Sequence, residues 1–435
     1  MHVIRALLFV SLVVSASNSA SAGNGPKGGP SFMEYEWTEI VATDFFTTER
    51  WEPRAGLQAV ELHNELFVIA GRTPSPTQDN PFASIIHGDV WVSSDLGETW
   101  VELLDDAESA GLWKNRAYFE AVTKGGYIYI IGGQNFTTFI PAPPFVRPSE
   151  FFKDVWRSKD GVDWEQMTDD AEWAKLPKET VPTDPPCGPP ITQGRAGLSA
   201  VSFKGKLWVL GGSQGDDLSI NAGPDCREVF NDVWYSRDGS EWHLATDDAP
   251  WEARAGGVAL VKGGWLYFLG GEKGFTGEDD YFNDVWRTKD GMTWEEVTGP
   301  EGAGWSPRPG HKCSVVANHF VCMGGFAALD PFPPNFDTNP SDIWISKDGA
   351  NWEKVSDSPW NNDPGYSDCI FATPPELPII CDYVRYDFDM LTVSGGEGGM
   401  KPSIFTFGGD REIFVPIPGN EFRIENDVWR YSPRE

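Results

Sequence analysis

Six arginines recur along the 435-residue chain, Arg54, Arg116, Arg195, Arg254, Arg308 and Arg385, each heading a strand-like run such as the "RAGLSAVSF" that begins at Arg195. Four have a tryptophan three residues earlier: Trp51, Trp113, Trp251 and Trp305. A circle of guanidinium groups would trap anions, because the planar fork of donors matches a carboxylate; tryptophan beside it suits a carboxylated sugar or an acidic peptide. The competing reading is structural: a residue written once per repeat serves a scaffold more readily than an asymmetric ligand. Asp105-Asp106, Asp169-Asp170 and Asp247-Asp248 offer acids for such pairing just upstream. No short motif marks a nucleophile, and catalytic residues stay unassigned.

The arginines belong to a longer repeated phrase. Its marker, "DVW" or "DIW", places tryptophans at Trp91, Trp156, Trp234, Trp286, Trp344 and Trp429, six copies in all. Within a copy the order is constant. An arginine opens an apolar strand, a tight turn such as "KGK" follows, and a second strand ends in a glycine pair, as at Gly132-Gly133, Gly211-Gly212, Gly270-Gly271, Gly324-Gly325 and Gly408-Gly409. The first copy departs with Ala70-Gly71. After a variable connection come "NDVWYS", a turn "RDG" and "EWHLAT", so the β-branched and aromatic content and the turn chemistry predict four strands per copy. Such a unit cannot bury both faces alone, and radial stacking solves that problem.

Glycine pairs, spaced tryptophans and a shortest interval of 52 residues, between Trp234 and Trp286, resemble the kelch-repeat family across nearly all of 35–435. "SSDLGETW" at 93–100 is similar to the Asp-box turn of sialidase-type propellers, and the other copies carry a form one residue shorter. The resemblance implies an all-β, six-bladed β-propeller of four-stranded antiparallel blades, like the central domain of galactose oxidase. The sixth copy stops after its third strand, whereas "YEWTEIVATDFFTTERWEPRAG" at the other end aligns with "SEWHLATDDAPWEARAG"; the N-terminal strand is therefore expected to complete the last blade, with Trp37 in the place of Trp242. Twelve of the 20 tryptophans fall at two repeated strand positions and read as packing between blades. The repeated aspartate, as in Asp160 and Asp238, reads as serving its own turn.

Up-and-down order divides the connections between two ends of the ring. First-to-second and third-to-fourth turns are short and nearly constant. The other end takes the insertions at 73–86, 135–151, 171–193, 214–229, 327–340 and 360–384. Variation gathered on one face of a rigid scaffold marks the expected functional surface. Its loops carry Phe136, Phe139, Phe145, Phe332 and Phe336 among prolines, either as anchors for a partner or as self-packing rings.

Residues 1–22 read as a secretory signal peptide, since the apolar run from Ala6 to Val14 is too short to span a bilayer and Ala20-Ser21-Ala22 offers a cleavage site; 23–34 read as a flexible mature N-terminus. Export fits six cysteines, an even number, paired most simply as Cys187–Cys226, Cys313–Cys322 and Cys369–Cys381. Cys313 and Cys322 would face each other across a turn at Ala317-Asn318. Asn135-Phe136-Thr137 is a glycosylation sequon. The formal net charge of −31 disfavours nucleic acid and anionic membrane as partners. Mature histidines are scattered, which disfavours copper chemistry; no metal or other cofactor is expected. These readings describe a secreted or periplasmic monomer, not inserted in a membrane, that binds a glycan or protein on its long-loop face. The alternative is a sugar mutarotase-like, epimerase-like or sialidase-like enzyme at an arginine-ringed channel mouth.

Overall fold

The computed structural model describes residues 35–44, 46–74, 84–135, 150–174, 193–214, 228–274, 280–299, 301–325, 342–359, 385–394, 401–410 and 424–434. Six four-stranded antiparallel sheets form a ring of blades, a β-propeller. The innermost strands, in order, are Gln58–Leu62, Glu120–Lys124, Ser199–Phe203, Val258–Lys262, His311–Val316 and Asp389–Val393. The sixth blade takes its outermost strand from Tyr35–Val41, which pairs antiparallel with Ile424–Pro433. Trp37 faces Tyr431 there as Trp242 faces Ser236 in blade three, so the expected closure holds in register.

Local chemistry explains the hairpins. Both central residues of the inner turns have φ above zero: His63 and Asn64, Lys204 and Gly205, Ala317 and Asn318. That is the twist-matched turn that joins two strands tightly. In the third-to-fourth turns Asp160 accepts the N–H groups of Val162 and Asp163 and Asp290 those of Met292 and Thr293, while Gly161 donates to Ser158 Oγ. Trp164, Trp242 and Trp294 then send their indole N–H to the turn carbonyls of Gly161, Gly239 and Gly291. The repeated aspartates thus serve their own turns, as expected, and the fourth-strand tryptophans, expected as packing between blades, also bond to theirs.

The core lies between blades. One cluster joins Leu57, Leu66 and Trp100 of blade one to Phe405, Phe407 and Val428 of blade six, and five like it fill the remaining interfaces. Trp51, Trp113, Trp251 and Trp305 are buried in these slabs, each edge-on to the fourth-strand tryptophan of the same blade, as in Trp113 against Trp164 at 5.7 Å. Trp173 makes a fifth such pair with Trp242. Its signal was present, because Asp169-Asp170-Ala171-Glu172-Trp173 copies Asp247-Asp248-Ala249-Pro250-Trp251.

Candidate functional site

The recurring arginines do not form an open anion trap. All six are buried, and each grips the aspartate of its own blade's "DVW" or "DIW" phrase through both terminal nitrogens: Asp89, Asp154, Asp232, Asp284, Asp342 and Asp427. In Arg116–Asp154 the contacts are 2.8 and 2.9 Å. The same aspartates accept the indole N–H two residues on, as Asp154 does from Trp156. Arg116 also donates to the Gly132 carbonyl, while its own carbonyl accepts the Gly71 N–H of the preceding blade. Arg54, Arg116, Arg195 and Arg254 each make both contacts, a staple across three strands and a clasp between blades. Burial pushes the Asp89 and Asp154 carboxyls up, but the charge and hydrogen bonds of Arg54 and Arg116 more than offset it and hold both below the usual range.

The upstream acids have other partners. Asp106 binds Asn115, Asp170 binds Lys153 and Asp248 binds Asn231. Phenylalanines cover guanidinium faces instead, with Arg195 3.6 Å from the Phe230 ring and Arg254 3.9 Å from Phe282. The tryptophans expected beside a ligand sit inside the blade interfaces.

What the mouth of the channel offers is a different set. Two residues after each arginine the chain turns through a left-handed conformation, at Gly56, Tyr118, Gly197, Gly256, Gly310 and Asp387. Their backbones link neighbouring blades. Gly56 N–H binds the Asp387 carbonyl, Tyr118 binds Gly56, Gly197 binds Tyr118, and Gly256 binds Gly197. Four of the six are glycine, the residue this geometry favours; Tyr118, at φ 54°, and Asp387, at φ 52°, are held there against their side chains' preference.

Those side chains fall on one side of the mouth. The Tyr118 ring lies over Gly56, and Asp387 Oδ1 over Gly310. Arg72, just beyond the Ala70-Gly71 pair, donates from Nε to the Tyr118 hydroxyl at 2.8 Å and from one terminal nitrogen to Asp410 at 2.7 Å. Burial pushes the Asp387 carboxyl up to about 7; Asp410 adds to this, while Arg72, the Tyr118 hydroxyl and Lys312 oppose it. Burial also lifts the Tyr386 hydroxyl well above its ordinary range. Opposite them, nothing lies within 4 Å of where a Cβ at Gly256 would sit.

A second polar layer lines the channel on the inner strands. Gln58 accepts the Ala121 N–H at 3.1 Å, and Asp389 accepts that of Ala59 at 2.6 Å. Lys312 Nζ stands 3.4 Å from Asp389. Burial raises the Glu120 carboxyl to about 8, aided by Asp389 and opposed by Lys312 and the Ala200 N–H. Together the layers set a carboxyl that titrates near neutrality beside hydroxyls and a fixed guanidinium, a constellation able to bind a hydroxylated ligand and exchange a proton with it. Sequence reasoning passed over Tyr118 and Asp387, although "RAY" and "RYD" break the "RAG" pattern in plain view.

The remaining expectations divide. Cys313 and Cys322 lie opposite each other across the Ala317-Asn318 turn and are disulfide-bonded, whereas Cys187, Cys226, Cys369 and Cys381 lie outside the described residues, as do Phe136, Phe139, Phe145, Phe332 and Phe336. Asn135 is half-buried, with its amide nitrogen donating to the Asn115 carbonyl. One connection corrects the division of loops: the first-to-second link of blade six spans 394–402 and belongs to the end where the other such turns are tight. Among the described residues no group of three or more His, Cys, Asp or Glu could hold a metal ion, and no helix is long and apolar enough to cross a membrane. No protein-family model matches the chain.

Proposed function

We propose that this propeller is a binding module that takes a hydroxyl-rich ligand, a glycan or a sugar-bearing protein, at the channel mouth on its loop-bearing face. The observation that carries the reading is the pair of residues, Tyr118 and Asp387, kept at strained backbone positions that a repeat otherwise gives to glycine. Backbone strain costs about 1–2 kcal/mol at Tyr118 and less at Asp387, since aspartate tolerates this conformation better, so retaining the tyrosine there points to a use for it. The glycine pairs, the "DVW" phrase and the ring support a propeller of the kelch type. The Cys313–Cys322 bridge supports an oxidising compartment, in keeping with a leader at 1–22 and a secreted protein.

The test is a glycan array of neutral and anionic sugars probed with the wild type, Tyr118→Gly and Asp387→Gly. Both substitutions suit the backbone, so folding should survive while binding falls at least tenfold. Binding unchanged in both variants, or no wild-type binding to any glycan, would remove the reading. The enzyme alternative rests on Asp387, whose carboxyl near 7 can give or take a proton at neutral pH. Anomer exchange followed by NMR on any sugar the array identifies would reveal it, with Asp387→Asn abolishing the acceleration.

A further inference from the structure

The turns at the opposite end of the ring carry a run of cations, with Asp238, Asp290 and Asp348 following Arg237, Lys289 and Lys347. Although acids outnumber bases 65 to 34 in the chain, the tight turns of blades two to five are rich in cations. Lys124, Lys204 and Lys262 occupy the inner turns. Arg237, Lys289 and Lys347 occupy the third-to-fourth turns of the next blade in each case, all three exposed. Each inner lysine reaches across the interface to the main-chain carbonyl of the cationic residue itself: Lys124 Nζ to Arg237 O at 2.6 Å, Lys204 to Lys289 O at 2.7 Å and Lys262 to Lys347 O at 2.6 Å. Like charges are thereby brought together at three successive blade interfaces. Blade one ends the series, with His63-Asn64 in its inner turn and Asp95 and Glu98 in the other.

Holding like charges side by side is unfavourable unless an anion relieves it; Asp348 relieves Lys262 in part, while the carboxylates of Asp238, Asp290 and Asp348 are also held by the N–H groups of their own turns. The neighbouring cations are also preorganised over aromatic rings. Lys206 lies 3.6 Å from the Tyr235 centroid and Lys289 4.4 Å from that of Trp265, while Arg287, 4.3 Å from the same ring, is ion-paired with Glu295. His319 feels the third doublet: burial lowers its pKa first, and Lys347 and Lys262 lower it further. Fixed side chains lose less entropy when a partner arrives.

The doublets stand on turns and recur once per blade along an arc. A partner matching them carries regularly repeated charges and needs no insertion into a pocket. We infer that the turn-bearing face of blades two to five docks a linear anionic polysaccharide along this arc. The inference uses residues separate from the channel mouth and stands whether or not that site binds sugar.

The experiment measures binding of the full chain to immobilised dextran sulfate. Wild type should bind, and its affinity should fall at least tenfold between about 50 mM and about 200 mM salt. Arg237→Ser/Lys289→Ser/Lys347→Ser should lose at least tenfold at low salt. Lys114→Ser/Lys153→Ser/Lys273→Ser, which removes the same charge away from the arc, should bind within twofold of wild type. Circular dichroism checks that both variants fold; if the first does not, Arg237→Gln/Lys289→Gln/Lys347→Gln replaces it. The inference is overturned if wild type does not bind, if both charge variants lose affinity equally, or if polyglutamate or phosphatidylserine vesicles compete as well as the polysaccharide at equal charge.

Discussion

The two ends of this ring use the same six copies to opposite effect. At the turn end, apart from the longer blade-six link at 394–402, the hairpins keep closely similar backbones, and their aspartates and tryptophans bond within their own turns. At the loop end the scaffold is just as regular down to the arginine staples, and then symmetry breaks at Tyr118, Arg72, Asp387 and Asp410. The difference teaches where to look for function in a repeat protein. Residues present in every copy hold the ring together, and the informative ones are those a single copy carries where its siblings have glycine.

The contrast can be broken at its base by deleting Tyr35–Val41, which strips blade six of its outer strand. We expect loss of the cooperative thermal transition in calorimetry; a deletion variant melting near wild type would refute closure as a requirement. Next in size, Arg254→Ala should destabilise by about 3–5 kcal/mol in urea denaturation, because it leaves the Asp284 carboxylate without its partner. A ligand-facing arginine would instead cost little stability and much binding.

Smaller effects sharpen the comparison. Asp387→Gly should raise stability at pH 8 by about 1–2 kcal/mol, since it relieves the backbone and removes an enclosed carboxylate, while binding at the mouth is lost. The carboxyls of Glu120 and Asp387, raised to about 8 and about 7, bind protons in the folded state that the unfolded chain releases above about pH 4. Their contribution is complete below the unfolded value and declines as pH rises toward 8. His87 and His311, both lowered to about 3 chiefly by burial, act in the opposite sense but only below about pH 6.5. Between pH 6.5 and 8 stability should therefore fall, by roughly 1 kcal/mol per unit, and Glu120→Gln should flatten the slope in urea titrations at several pH values. The smallest effect belongs to the turn end, where Arg237→Ser should change stability by less than about 0.5 kcal/mol.

Much of the scaffold was legible because its causes are local. Turn residues, strand alternation and the "DVW" phrase each act within a few positions, and they predict six blades and the partnership of Tyr35–Val41 with the last one. The arginine partners were harder. Arg195 and Asp232 are 37 residues apart, while Asp169-Asp170 lay closer in the chain; which carboxyl meets the guanidinium depends on how the first and third strands stack, a property of the assembled sheet. The mouth cluster depends on still longer contacts, such as Arg72 with Asp410, that arise only once the circle closes.

That circle has a temporal side. Tyr35–Val41 leaves the ribosome long before the strand it pairs with, Ile424–Pro433. Until the later strand emerges the early one carries an unpaired edge, and blade one lacks the neighbour that completes the slab around Trp51. Nascent chains of this protein pass through an aggregation-prone interval whose length is set by translation, and whatever shields that edge during the wait governs the yield of folded molecules.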